Sequence, residues 1–151
     1  MKKKTVKNLI PNIGSEDVTF GQSEEEIVKV FGEPVNSHTI DDVKHYPPGR
    51  KSLNYMSFGF LVAPSKGVIS ITMEAELGDI LLWGEKVNDY SIDELRVFIE
   101  SKGYDDSLIS KHYGWEDQDL VSVKAGILAS YSEDKLLCLE IVMPGWKELK
   151  E

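Results

Sequence analysis

The chain has 151 residues, 41% of them hydrophobic, with 26 Asp and Glu against 17 Lys and Arg and a net charge of −9. That is enough apolar material for one core, and the charge opposes binding to phosphate backbones or anionic membranes while favouring encounter with basic partners. One cysteine, Cys138, excludes an intrachain disulfide and a cysteine-based zinc cluster.

The first residues, "MKKKTVKNLIPNIGSED", carry the basic start of a signal peptide without the apolar run that should follow, and no stretch of about 18 apolar residues occurs anywhere. The expectation is a soluble, cytoplasmic protein of one domain, 1–151. A short strand is expected at Asp17 to Gly21. In "FGQSEEEIVKVFGEP", Ser23 and Glu26 have the spacing of a capping box, in which each side chain satisfies the other residue's backbone N–H. Ile27, Val30 and Phe31 then share one helical face, and Gly32 suits a left-handed C-terminal position. The segment Glu33 to Lys51 is irregular and long enough to be either a functional loop or a place where strands are hidden. Next, "NYMSFGFLVAPSKGVISITME" changes to a period of two: Met56, Phe58, Phe60 and Val62 on one face, a Pro-Ser-Lys-Gly turn, then Ile69, Ile71 and Met73.

The order then returns. A short strand is expected at Asp79 to Gly84, Ser91 and Glu94 repeat the capping box, and Leu95, Phe98 and Ile99 repeat the apolar face before Gly103. Tyr104 to Asp119 is the second irregular segment. Val121, Val123, Ala125 and Ile127 alternate as one strand, followed after Ser-Glu-Asp-Lys by Leu137, Leu139, Ile141 and Met143. The reading is an α+β fold: a tandem repeat of strand-helix-β-hairpin units, approximately 17–76 and 79–143, with helices packed on antiparallel sheet.

Gly21, Ser23, Ile27, Phe31, Gly32 and Pro34 follow a pattern that resembles the helix-opening motif of modules similar to the lipoprotein SmpA/OmlA and to beta-lactamase inhibitor protein. The resemblance covers about fifteen residues in the first unit; in the second only the cap and apolar face match, and no proline follows Gly103. It implies a doubled module that grips a protein partner. A lipoprotein needs a cysteine near its N-terminus, and Cys138 is far from it. In size, charge and style the chain also resembles bacterial toxin immunity proteins of the contact-dependent growth-inhibition type. That resemblance implies a cognate toxin as partner, a nuclease with a basic surface for which an acidic inhibitor competes with nucleic acid. A bacterial adaptor or ligand-binding module is the alternative.

No residue set announces a reaction. The three histidines, His38, His45 and His112, stand in the irregular segments without the i, i+4 spacing of a zinc pair. Cys138 lies in an alternating strand with no identifiable base beside it. Ser132 and Lys135 spell Ser-x-x-Lys but fall at a hairpin tip. Asp41 with Asp42, Asp105 with Asp106, and "EDQD" at Glu116 to Asp119 read as solvated acidic runs, and the last lacks the glycine and oxygen ligands of a calcium loop. The expectation is no catalysis, no cofactor and no metal.

A binding role fits "KHYGWEDQD" better, because energetic hot spots tend to set an aromatic anchor in a charged rim. The expected partner-binding residues are Tyr113, Trp115, Glu116, Asp117 and Asp119, with Glu133 and Asp134 at the acidic hairpin tip. The acidity is concentrated in this half: Met1 to Glu76 has nine basic against ten acidic residues, and Leu77 to Glu151 has eight against sixteen. "HYPPGRK", His45 to Lys51, is a compact positive cluster that offers either a structural turn or an opposite binding lobe.

Overall fold

The computed structural model describes residues 2–40, 49–111 and 117–145. Among them, strands β1 (Leu9–Ile10) and β2 (Gly14–Ser15) precede helix α1 (Glu24–Phe31). Four strands follow: β3 (Asn36–Ile40), β4 (Arg50–Asn54), β5 (Phe58–Ala63) and β6 (Gly67–Glu74). The second half begins with β7 (Leu81–Leu82), β8 (Glu85–Lys86) and α2 (Ile92–Ser101). It continues with β9 (Leu108–Lys111), β10 (Asp117–Ser122), β11 (Ile127–Ser132) and β12 (Lys135–Val142).

The large sheet is antiparallel, with the order β3-β4-β5-β6-β12-β11-β10-β9. Each half of the chain therefore supplies four strands, and the halves join at a seam between β6 and β12, where Thr72 pairs with Glu140. The spacing from Ser23 to Ser91 equals that from Thr72 to Glu140. A small second sheet, β2-β1-β7-β8, joins the lead-in segments of the two halves through the parallel pair Leu9 and Leu82, both fully buried.

This architecture corrects the α+β reading of helices layered on antiparallel sheet. Strand accounts for 44% of the described residues and helix for 14%, so the fold is β-rich. The extensive close backbone approaches are all strand to strand. The expected strand-helix-hairpin unit is also incomplete, because both irregular segments hold two further strands: β3 and β4 in the first, β9 and β10 in the second. Asp17 to Gly21 forms only an isolated bridge, Gly14 to Thr19, in place of a strand.

The helices obey their local chemistry. Both capping boxes form: Ser23 accepts from the Glu26 N–H and Ser91 from the Glu94 N–H, with each glutamate reaching back to the cap. Ile27 and Phe31 of α1, and Ile92, Leu95 and Ile99 of α2, enter one core shared with Phe58, Phe60, Ile71, Leu120, Ile127 and Leu139. The segment before α1 is tied to β6 by hydrogen bonds from the Gly21 N–H to Val68 O and from the Val68 N–H to Gln22 O. Gly67, at φ +74, permits this approach, since a side chain there would collide with the Gly21 carbonyl.

Two strand assignments move. Val121 to Ile127 is not one strand: a turn at residues 123–126 separates β10 from β11, leaving Val123 exposed and sending Leu120 and Ser122 inward. A register shift between Ser130 and Tyr131 turns Leu136 inward and leaves Leu137 exposed, reversing the expected phase at the start of β12. Met56 likewise lies in a turn, well exposed, before the strand that buries Phe58 and Phe60.

Candidate protein-binding face

Antiparallel registers place directly paired residues on the same face of a sheet. Phe58, Met73, Leu139, Ala129 and Leu120 form one such row and face the core, where both helices and the small sheet also place their buried side chains. The opposite face is different in kind. Its middle row runs through Asn36, Asn54, Gly59, Thr72, Glu140, Leu128, Val121 and Leu108, crossing all eight strands without a single buried residue.

On this second face the acidic residues of distant segments meet. Glu74 pairs with Cys138 across the seam, Cys138 with Ser130, and Ser130 with Asp119. Glu140 follows two residues along β12, and Asp117 two residues along β10, so both share the face. The thiol registers this neighbourhood: burial raises the Cys138 pKa above its ordinary value, a hydrogen bond with Ser130 lowers it, and Glu74, Glu140 and Asp119 raise it further. A thiol held protonated in an anionic field is a poor nucleophile, the opposite of what covalent catalysis asks of a cysteine.

The expected site residues separate into three groups. Asp117 and Asp119 lie on this face, half-buried in β10. Glu133 and Asp134 form the tight turn between β11 and β12, at φ 51 and φ 61. Asp134 is exposed, and its Oδ1 accepts from the Ile92 N–H at 3.1 Å and so caps α2. Tyr113, Trp115 and Glu116 fall outside the described residues, as do His45, His112, Asp41 and Asp42. Of "HYPPGRK", Arg50 is buried and Lys51 pairs with Glu24 at 2.9 Å, which ties the described end of that cluster to α1. Glu74 and Glu140 were missed by sequence reasoning. Nothing local marks them, and only the β6–β12 seam brings them beside Asp119.

Among the described residues no group of three or more His, Cys, Asp or Glu has the geometry to hold a metal ion, and no helix is long and apolar enough to cross a membrane. No family model matches the chain, and neither the curated proteins nor the solved structures searched contain a match.

Proposed function

We propose that the protein is a non-catalytic binding protein acting as an immunity protein, which neutralises a cognate toxin by occupying that toxin's basic surface. The observation that carries this reading is the gathering of Glu74, Asp119 and Glu140 around Cys138 on the sheet face opposite the main core. Carboxylates so placed add to one another's field and steer a basic protein into encounter, while repelling nucleic acid that would use the same toxin surface. A nuclease domain is the toxin class whose surface best complements that field, and the cytoplasm is where such a toxin would have to be met.

The test is to identify a toxin-like gene encoded beside this one and to measure binding of its purified product by surface plasmon resonance at two salt concentrations. The immunity reading expects tight binding whose association rate falls as salt rises. Absence of binding at low salt would remove the toxin from the account and leave an adaptor for another basic protein.

A further inference from the structure

Four rings gather beside α2, on the core side of the large sheet and so opposite to Cys138. Trp83 and Tyr104 stack with centroids 5.9 Å apart and planes 17° apart, while Phe98 meets Trp83 edge-on at 5.8 Å and Tyr90 edge-on at 5.7 Å. All four are half-buried, resting on the core. The exposed Lys102 places its ammonium over two of them, 6.0 Å from the Trp83 ring centre and 5.6 Å from that of Phe98. The fold does not require this cluster. Counted back from the Ser91 cap to the Ser23 cap, Tyr90 and Phe98 fall on Gln22 and Val30, and the first half builds its capped helix without either ring. Trp83 stands at φ 50 and Gly84 at φ 83 in the two-residue turn between β7 and β8, a turn that Asn-Gly fills with least strain. A bulky ring held left-handed there points to a use beyond the turn.

We infer that Trp83, Phe98 and Tyr104 form a receptor for an arginine side chain of a protein partner, which takes the place that the Lys102 ammonium holds in the free protein. The chain's own cation shows the chemistry that the rings accept, since the negative face of an aromatic ring attracts a cation lying over it. Arginine is the better occupant. Its guanidinium is planar and weakly hydrated, so it lies flat on a ring where an ammonium acts as a point charge. Lys102 is exposed, and its ammonium returns to water when displaced. The approach is open: Gly84 and Gly103, which adjoin Trp83 and Tyr104, have nothing within 4 Å of where a Cβ would stand. The second half, with eight basic residues against sixteen acidic, favours the arrival of a cationic side chain. This surface is separate from the Cys138 face and does not depend on the partner being a toxin. α2 has no basic residue in its last turn, so Lys102 also suits the helix's C-terminal dipole, a stabilising role that the test must tell apart from the site.

The probe is N-acetyl-arginine N-methylamide, titrated into the full 15N-labelled chain at physiological ionic strength and followed at the Trp83 indole N–H and the Gly84 and Gly103 amides. The expected result is saturable shifts at these groups, weaker binding of the lysine analogue, and none of the citrulline analogue, which has the shape without the charge. Lys102→Gln should tighten the arginine probe by about threefold or more, because the competing cation is gone. Lys135→Gln, which removes an equal charge from an exposed site in the same half, should change it by less than about 1.5-fold, since distant charges are screened. Phe98→Val, carrying the residue that the first half has at this place, should lose the Trp83 shifts while keeping a dispersed spectrum. Unchanged or weaker arginine binding in Lys102→Gln would overturn the inference and leave Lys102 as a helix cap alone. So would equal shifts from the citrulline analogue, full binding by Phe98→Val, or no saturable shift at Trp83.

Discussion

Asp106 fastens the lead-in of β9 to the turn between β10 and β11 through one carboxylate. Its Oδ1 accepts from the Ser122 hydroxyl at 2.6 Å and its Oδ2 from the Lys124 N–H at 2.9 Å, while Ser122 itself is fully buried. Burial pushes the Asp106 pKa up, but the hydrogen bonds from Ser122, Lys124 and its own backbone, with the Lys124 charge, bring it below the ordinary carboxylate value. A depressed folded pKa stabilises fully above the unfolded value, about 4, and that contribution disappears as pH falls through the folded value. Urea unfolding of Asp106→Asn should therefore lose less stability than the parent between about pH 5 and pH 2. Asp106→Ala should cost about 1–3 kcal/mol at pH 7 by stranding the Ser122 hydroxyl, and less when combined with Ser122→Ala than the two single costs together. Equal losses on acidification in Asp106→Asn and parent would show that the carboxylate is not the latch. At the same scale, Cys138→Ser should leave both stability and partner binding within about 0.5–1 kcal/mol of the parent, because the thiol is assigned no chemical role.

The N-terminus of α2 shows what the sequence displays at the level of elements and what it hides. Its capping box is local, Ser91 and Glu94 three residues apart, and can be read directly. Its second cap is not: Asp134 comes from the β11–β12 turn, and Tyr131 donates from β11 to the Tyr90 and Ser91 carbonyls at 3.0 and 3.3 Å. Asp134 is a surface acid, as expected, but its bond to α2 lies outside anything that neighbours in sequence can show. Ser91→Ala and Asp134→Ala should each lower stability by about 1 kcal/mol in urea melts, and Asp134→Ala should leave partner affinity unchanged. A large affinity loss in that variant would place the hairpin tip in the binding surface. Burial first, then the Asp134 and Glu94 charges, raises the Tyr131 phenol pKa. A raised folded pKa gives a contribution that is complete below the unfolded value near 10 and is lost as pH climbs beyond it, so Tyr131→Phe should flatten the alkaline decline in stability.

Strands were legible where a sequence alternates between core and solvent, as from Phe58 to Met73, and illegible at the sheet's borders. β3 reads Asn-Ser-His-Thr-Ile and is exposed along nearly its whole length, so no period of two marks it. β10 begins with Asp-Gln-Asp, all half-buried, which resembles a solvated run until the sheet pairs it. The turn at Gly126 was concealed by apolar neighbours, although its φ of +67 and the nearby Val142 carbonyl require a glycine there. These omissions had one consequence for function: with β10 read as loop, Asp119 belonged to an acidic tract with Glu116, instead of to a row with Glu74 across the seam.

At the scale of the whole molecule, a basic partner is proposed to sit on the sheet face that carries Glu74, Asp119 and Glu140, with Cys138 beneath it. Two further variants set the frame. Leu139→Ala removes a fully buried side chain that faces Met73 at the seam and should cost about 2–5 kcal/mol, read by denaturant midpoint, as a core truncation does. Thr72→Ala, beside it but on the opposite face of the sheet, should cost little. A comparably large loss in Thr72→Ala would mean that this face is packed around the seam in the free protein and unavailable for docking. Because Cys138 is the single cysteine and lies half-buried within that face, it reports occupancy without any added label. The decisive measurement is the rate of iodoacetamide alkylation of Cys138, near pH 9, with and without saturating adjacent-gene product. The account predicts that the complex slows alkylation by about tenfold or more, as a buried and desolvated interface centre excludes the reagent. A complex in which Cys138 reacts as fast as in the free protein would contradict it and place the partner elsewhere.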